Sequence, residues 1–191
     1  MRLRLPRMDK LSLMLFAAIW SFAPAAVACT WFGFTNDKGN YFVGRTMEWP
    51  GDLGAEIALV PRNQDFGSFQ TRHGFVGLYH QGLFSDGMNE HGMAVSALWL
   101  DISSYSPEGD GARAISEVVG YILGNTKTLD EAIAYIEGNT FYTYAPEVLG
   151  DLELKLHFAI TGPSGKSIAL EFVDGETKIY NKHALRREQL S

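Results

Sequence analysis

Residues Ile115–Asn139 read ISEVVGYILGNTKTLDEAIAYIEGN, and this stretch decides the fold class. Ile115, Val118, Val119 and Ile122 fall at i, i+3, i+4 and i+7. Leu129, Ala132, Ile133 and Ile136 repeat that spacing. Each set lines one face of an amphipathic helix. Thr128 and Glu131 form a capping-box signature at the second start, and Gly138-Asn139 supplies the stop. Strand patterns lie on both sides of this helix pair. Upstream, Cys29–Thr35 and Tyr41–Thr46 flank the turn residues 36–40 and predict a hairpin. Glu56–Val60, Phe75–Tyr79, Leu83–Ser85 and Met93–Leu100 are further strand candidates, with a polar loop over Arg62–Arg72 and a turn over Gly87–Gly92. Downstream, Leu156–Thr161, Ser167–Phe172 and Thr177–Tyr180 are punctuated by Gly162–Gly165 and by Asp174-Gly175. Strands, then two helices, then strands again predict an α+β layer structure, an antiparallel sheet with helices on one side.

Composition narrows the function classes. The chain has 191 residues, 46% hydrophobic, with a net charge of −6 and one cysteine. That apolar content suits a folded core rather than disorder. The acidic balance speaks against a nucleic-acid partner, which needs a basic footprint. A single cysteine excludes an internal disulfide framework and a multi-cysteine zinc cage. The five histidines, at 73, 80, 91, 157 and 183, show no ligand spacing of the H-x-x-x-H kind, so no metal centre is expected. Neither a phosphate-cradling glycine motif nor a G-x-S-x-G elbow occurs.

The first 28 residues read as a secretory signal peptide. Arg2, Arg4, Arg7 and Lys10 precede the uncharged run Leu11–Phe22, and Ala26 and Ala28 occupy the A-x-A positions. The run is short of the ~20 apolar residues of a membrane span. Export to a periplasm is therefore expected. Removing 1–28, with four basic residues and one acid, leaves 163 residues at a net charge of −9. It also leaves Cys29 first in the mature chain. A thiol beside a free α-amine, whose pKa is ~7.7–8.0, carries nucleophile and base on one residue. Two other readings stay open: lipidation at a lipobox-like Ala-Val-Ala-Cys junction, where Ala26 stands in place of the usual Leu, and a structural thiol. Arg45 and Glu48 end the return strand of the hairpin, which brings them back toward Cys29. A guanidinium there would favour the thiolate, and a carboxylate could hold the α-amine.

The mature start CTWF, then GRTMEW at Gly44–Trp49, then SDGMNEHGMAVSALW at Ser85–Trp99, together resemble the choloylglycine hydrolase family of N-terminal-nucleophile hydrolases. The resemblance runs from Cys29 to about Tyr180. It implies an αββα sandwich of antiparallel sheets, with this chain as its N-terminal portion over 29–180. It implies cleavage of a linear amide C–N bond in a small N-acyl substrate by Cys29, without a cofactor. Arg45 matches the family arginine beside the thiol. Glu48 stands where aspartate is usual. Trp49 and Trp99 resemble the pair that lines the acyl pocket in the Gram-negative penicillin V acylase branch, with Trp99 where bile salt hydrolases place an oxyanion-hole Asn. Conjugated bile salts, penicillin V and N-acyl homoserine lactones are the implied substrate classes. A second Asn and a later Arg of the family have no match here, and the tail 181–191, NKHALRREQLS, breaks from the preceding composition. The chain is thus expected to be truncated, which raises an inactive product as the alternative. Homo-oligomerisation is left open.

Overall fold

The computed structural model describes residues 29–49, 51–144, 147, 150 and 152–181. The signal-peptide reading and nearly all of the tail fall outside them. Eleven strands appear among the described residues. β1 (Trp31–Thr35) and β2 (Tyr41–Arg45) form the expected hairpin, a two-stranded sheet among the described residues. β3 (Glu56–Val60), β4 (Phe75–His80), β5 (Leu83–Asn89) and β6 (Ala94–Trp99) run as a meander. After an excursion through the helices the chain returns as β9 (Leu156–Thr161), β10 (Ser167–Val173) and β11 (Glu176–Asn181). These seven strands form one antiparallel sheet in the order β11-β10-β9-β6-β5-β4-β3. β7 (Arg113–Ala114) and β8 (Phe141–Tyr142) are a short parallel pair that the sequence pattern does not reveal.

The helices form as their periodicity requires. A 3-10 turn at Ile115–Glu117 leads into α1 (Val118–Asn125), and α2 spans Leu129–Glu137. The Thr128 side chain accepts the Glu131 N–H at 3.2 Å, while the Glu131 carboxylate reaches back to the Lys127 N–H at 2.7 Å. Ile115, Val118, Ile122, Leu123 and Ile136 are fully buried with Phe158, Ile160, Leu170 and Phe172 of the sheet. Each Å² of apolar area this face removes from water contributes ~25 cal/mol to folding.

Strand alternation leaves the other face of the sheet to Ile57, Leu59, Val76, Leu78, Asp86, Met88 and Ser96. The β1–β2 hairpin lies over this face. Its odd-numbered residues from Trp31 to Arg45 are half-buried, apart from the exposed loop end, whereas Phe32, Phe34 and Phe42 point outward and are exposed. The layers are thus helices, a seven-stranded sheet and a two-stranded ribbon.

β5 extends beyond the expected Ser85. Gly87, Met88 and Asn89 continue the strand, and the turn is confined to Glu90–Gly92, with Gly92 at φ 82°. Gly87 is required by packing rather than by turning. A Cβ there would stand 2.6 Å from Leu123 Cδ1 and 2.6 Å from the Val76 carbonyl oxygen.

Candidate active site

The hairpin register brings Cys29 and Arg45 to one end. Arg45 lies opposite Trp31. Beyond that pair, the Thr46 N–H donates to the Thr30 carbonyl at 2.9 Å, and the Thr30 N–H donates to Thr46 Oγ1 at 3.1 Å. Cys29 is half-buried and lies two residues before Trp31, the partner of Arg45.

Arg45 spans the gap between the layers. Its Nε stands 3.2 Å from Asp86 Oδ1, and its Nη2 donates to the Ala97 carbonyl of β6. Only 10% of its side chain is exposed, so it needs those partners. Burial pushes the Asp86 carboxyl upward; the Arg45 charge opposes that rise, and the neighbouring Ser96 and Ser85 hydroxyls act in the same sense. His80 is also buried nearby. Burial holds its imidazole below the usual histidine range, and the Arg45 charge adds to the effect. Arg45 Nη1, Asp86 Oδ2 and both His80 ring nitrogens have no hydrogen-bond partner among the described residues.

The two tryptophans meet. Trp49 and Trp99 pack edge to face with ring centroids 6.2 Å apart, and the Trp99 indole N–H donates to Asp101 Oδ1 at 2.5 Å. Glu48 is exposed and makes no hydrogen bond or ion pair among the described residues. The structure therefore puts Cys29 at the end of the ribbon that carries Arg45, packs Trp49 against Trp99, and leaves Glu48 exposed. A groove of about 340 Å³ runs beside Arg45 and Asp86, floored by Val76, Leu78 and Met88 with Ile57 at its edge. Neither Cys29 nor the tryptophans line it, and it is continuous with the uncovered sheet face rather than an enclosed pocket.

Sequence reading missed Asp86, His80 and Asp101. Asp86 sits in an Asp-Gly pair that resembles turn chemistry, which hid its place inside a strand. It also missed the grouping of His73, Glu90 and His91, whose ligand-type atoms lie within 4.8 Å of one another. Chain spacing gives no hint of it, because β4 and β5 intervene.

A family profile described as linear amide C–N hydrolases of the choloylglycine hydrolase family matches residues 29–186. The chain belongs to the choloylglycine hydrolase family. Among curated members, a penicillin V acylase from Pectobacterium atrosepticum is 26% identical over 82% of this chain and 47% of its own length. A bile salt hydrolase/transferase from Bifidobacterium longum is 26% identical over 75% of this chain and 49% of its own. Among solved structures, the conjugated bile acid hydrolase of Clostridium perfringens, crystallised as a Cys-to-Ala mutant, superposes with a TM-score of 0.69 at 21% identity. It covers 81% of this chain and 51% of that one. That likeness shows a shared α+β fold. This choloylglycine hydrolase family chain spans about half the length of the relatives it matches.

Proposed function

We propose that the chain hydrolyses linear amide C–N bonds of small N-acyl substrates, with Cys29 as nucleophile once residues 1–28 are removed on export. What supports this reading most is that Cys29 lies two residues before Trp31, the strand partner of the buried Arg45. Spacing supports it as well. The C. perfringens hydrolase has been crystallised with a cysteine replaced and, separately, with an arginine replaced, at positions 16 residues apart, the separation of Cys29 and Arg45.

The steps follow from the groups present. The Cys29 α-amine takes the thiol proton. The thiolate, favoured by Arg45, attacks the amide carbonyl carbon and forms a C–S bond. The C–N bond then breaks, and the proton held by the α-amine goes to the departing amine. Water adds to the thioester, releases the acid and restores the thiol. Glu48 orients the α-amine from the rim, and Trp49 with Trp99 receives an aromatic or aliphatic acyl group. Penicillin V, conjugated bile salts and N-acyl homoserine lactones all present such an acyl amide.

Intact mass and N-terminal sequencing of the secreted product test the first step; a chain starting anywhere but Cys29 removes it. Hydrolysis of penicillin V and of a glycine-conjugated bile salt is then compared with Cys29→Ser. Loss of about 10³-fold or more in rate is expected for a missing nucleophile, and equal turnover refutes the assignment. One observation favours a second reading, that this chain alone has no turnover: it spans about half the length of its relatives. A correctly processed chain that hydrolyses none of these substrates decides for that reading.

A further inference from the structure

We propose that His73, Glu90 and His91 form a binding site for one divalent transition-metal ion, at the opposite end of the β5–β6 hairpin from the tryptophan pair. His73 precedes β4, and Glu90 and His91 make the β5–β6 turn. The two segments are tied together before any ion is considered. The Glu90 N–H donates to the Gly74 carbonyl at 3.0 Å, and the Gly74 N–H donates to Glu90 Oε1 at 2.9 Å. Asn89 Oδ1 accepts the His91 and Met93 N–H groups, each at 3.0 Å, and the His73 N–H donates to the Gly124 carbonyl at 2.9 Å. The backbone that would carry the ligands is therefore preorganised.

The spacing of the two ring nitrogens suits a shared ion. His91 Nε2 and His73 Nδ1 face each other at 3.2 Å. Two imidazoles on one tetrahedral ion, each at ~2.05 Å, hold their nitrogens about 3.3 Å apart. The ring centroids are 4.5 Å apart and the ring planes stand at 89°, an edge-to-face contact, so one ring swings outward for both nitrogens to face a common ion. Glu90 Oε1 stands 4.0 Å from His73 Nδ1, a short shift from a ligating position. His73 is buried, whereas Glu90 is exposed and His91 half-buried, so an ion has an entry path. No proton need leave, because one ring only changes tautomer. Two imidazoles and one carboxylate, with a fourth place for water, suit Zn²⁺, Co²⁺ or Ni²⁺ rather than Mg²⁺ or Ca²⁺.

One group competes. Arg62 pairs with both Glu90 oxygens, and Arg62 Nε lies 2.8 Å from Oε1. Its side chain is largely exposed, and such surface pairs contribute ~0–1 kcal/mol, so metal can displace it. Lys127 and Glu131 also act on His73 electrostatically, with opposite signs.

The test uses the untagged chain carrying Cys29→Ser, which removes thiol binding, titrated with CoCl₂ and then ZnCl₂. One tetrahedral Co²⁺ per chain is expected, displaced by Zn²⁺. His91→Gln, at a half-buried turn position, is expected to weaken binding about ten-fold or more, with its fold checked by circular dichroism. Arg62→Ala reads the same site without touching a histidine and is expected to tighten binding. Absence of binding at roughly millimolar Zn²⁺, far weaker than a built site gives, overturns the proposal. So does binding that survives His91→Gln, or an unchanged or lower affinity in Arg62→Ala.

Discussion

A buried guanidinium is stable only where carboxylate and carbonyl oxygens meet it, and Arg45 finds one of each on two strands. The same burial acts on its neighbours. His80 is held neutral chiefly by desolvation and secondarily by the Arg45 charge. The folded pKa therefore lies below 6.5. The unfolded chain takes up the proton first as pH falls, so this contribution is whole above pH 6.5 and declines below it. The imidazole resonances of His80, followed by NMR, are expected to titrate with a midpoint under 6.5. A midpoint at or above that value contradicts the assignment. Because burial is the larger cause, Arg45→Leu is expected to leave the midpoint below 6.5 as well. At this scale the sequence made Cys29 and Arg45 visible, since a hairpin with a five-residue turn fixes which residues return to its start. It could not make Asp86 or His80 visible, because their role depends on a layer that only tertiary packing brings over them.

Among the elements, the helices were the most legible. A 3.6-residue period sustained over two turns is incompatible with the two-residue period of a strand; the first apolar face is buried throughout, and the second is buried at Ala132 and Ile136 with Leu129 and Ile133 packed half-buried beside them. The end of β5 was not legible. Gly87 and Asn89 are turn-formers by propensity, yet here one admits the helix and the other ties it down. Asn89 Nδ2 donates to the Leu123 and Thr126 carbonyls at 2.9 and 2.7 Å, which caps the end of α1. Tertiary demand overrides local preference at both positions. Gly87→Ala is expected to lower unfolding free energy by about 1–3 kcal/mol, the usual cost of overpacking, because the Val76 backbone oxygen cannot yield. Gly109→Ala, where an added Cβ meets nothing within 4 Å, is the control and is expected to be near neutral. Urea unfolding of both variants checks this; equal midpoints would refute the packing account.

The whole molecule is asymmetric in what it covers. The helix side of the sheet is closed, while the other side carries Ile57 at 79% and Leu59 at 82% exposure, with Val76 and Met88 beside them. The run Ile57–Val60 reads apolar at consecutive positions, the pattern of a strand covered on both faces, and the described residues cover one. Contiguous exposed apolar surface promotes association. Sedimentation is expected to show self-association rising with concentration, reduced in the double variant Ile57→Thr, Leu59→Thr. Concentration-independent monomers in the parent would refute this. The ribbon that holds Cys29 and Arg45 is the other consequence of this asymmetry. β1 and β2 share no backbone hydrogen bond with the seven-stranded sheet among the described residues; side chains such as Arg45 and Tyr41 join them to it. A lone two-stranded ribbon is marginal in water. Its amides should then exchange with solvent through a local detachment, well before those of β5, β6 and β9. Mild denaturant would thus disassemble the thiol's surroundings while most of the secondary structure persists, so that the capacity for chemistry and the persistence of the fold are separately adjustable in this chain.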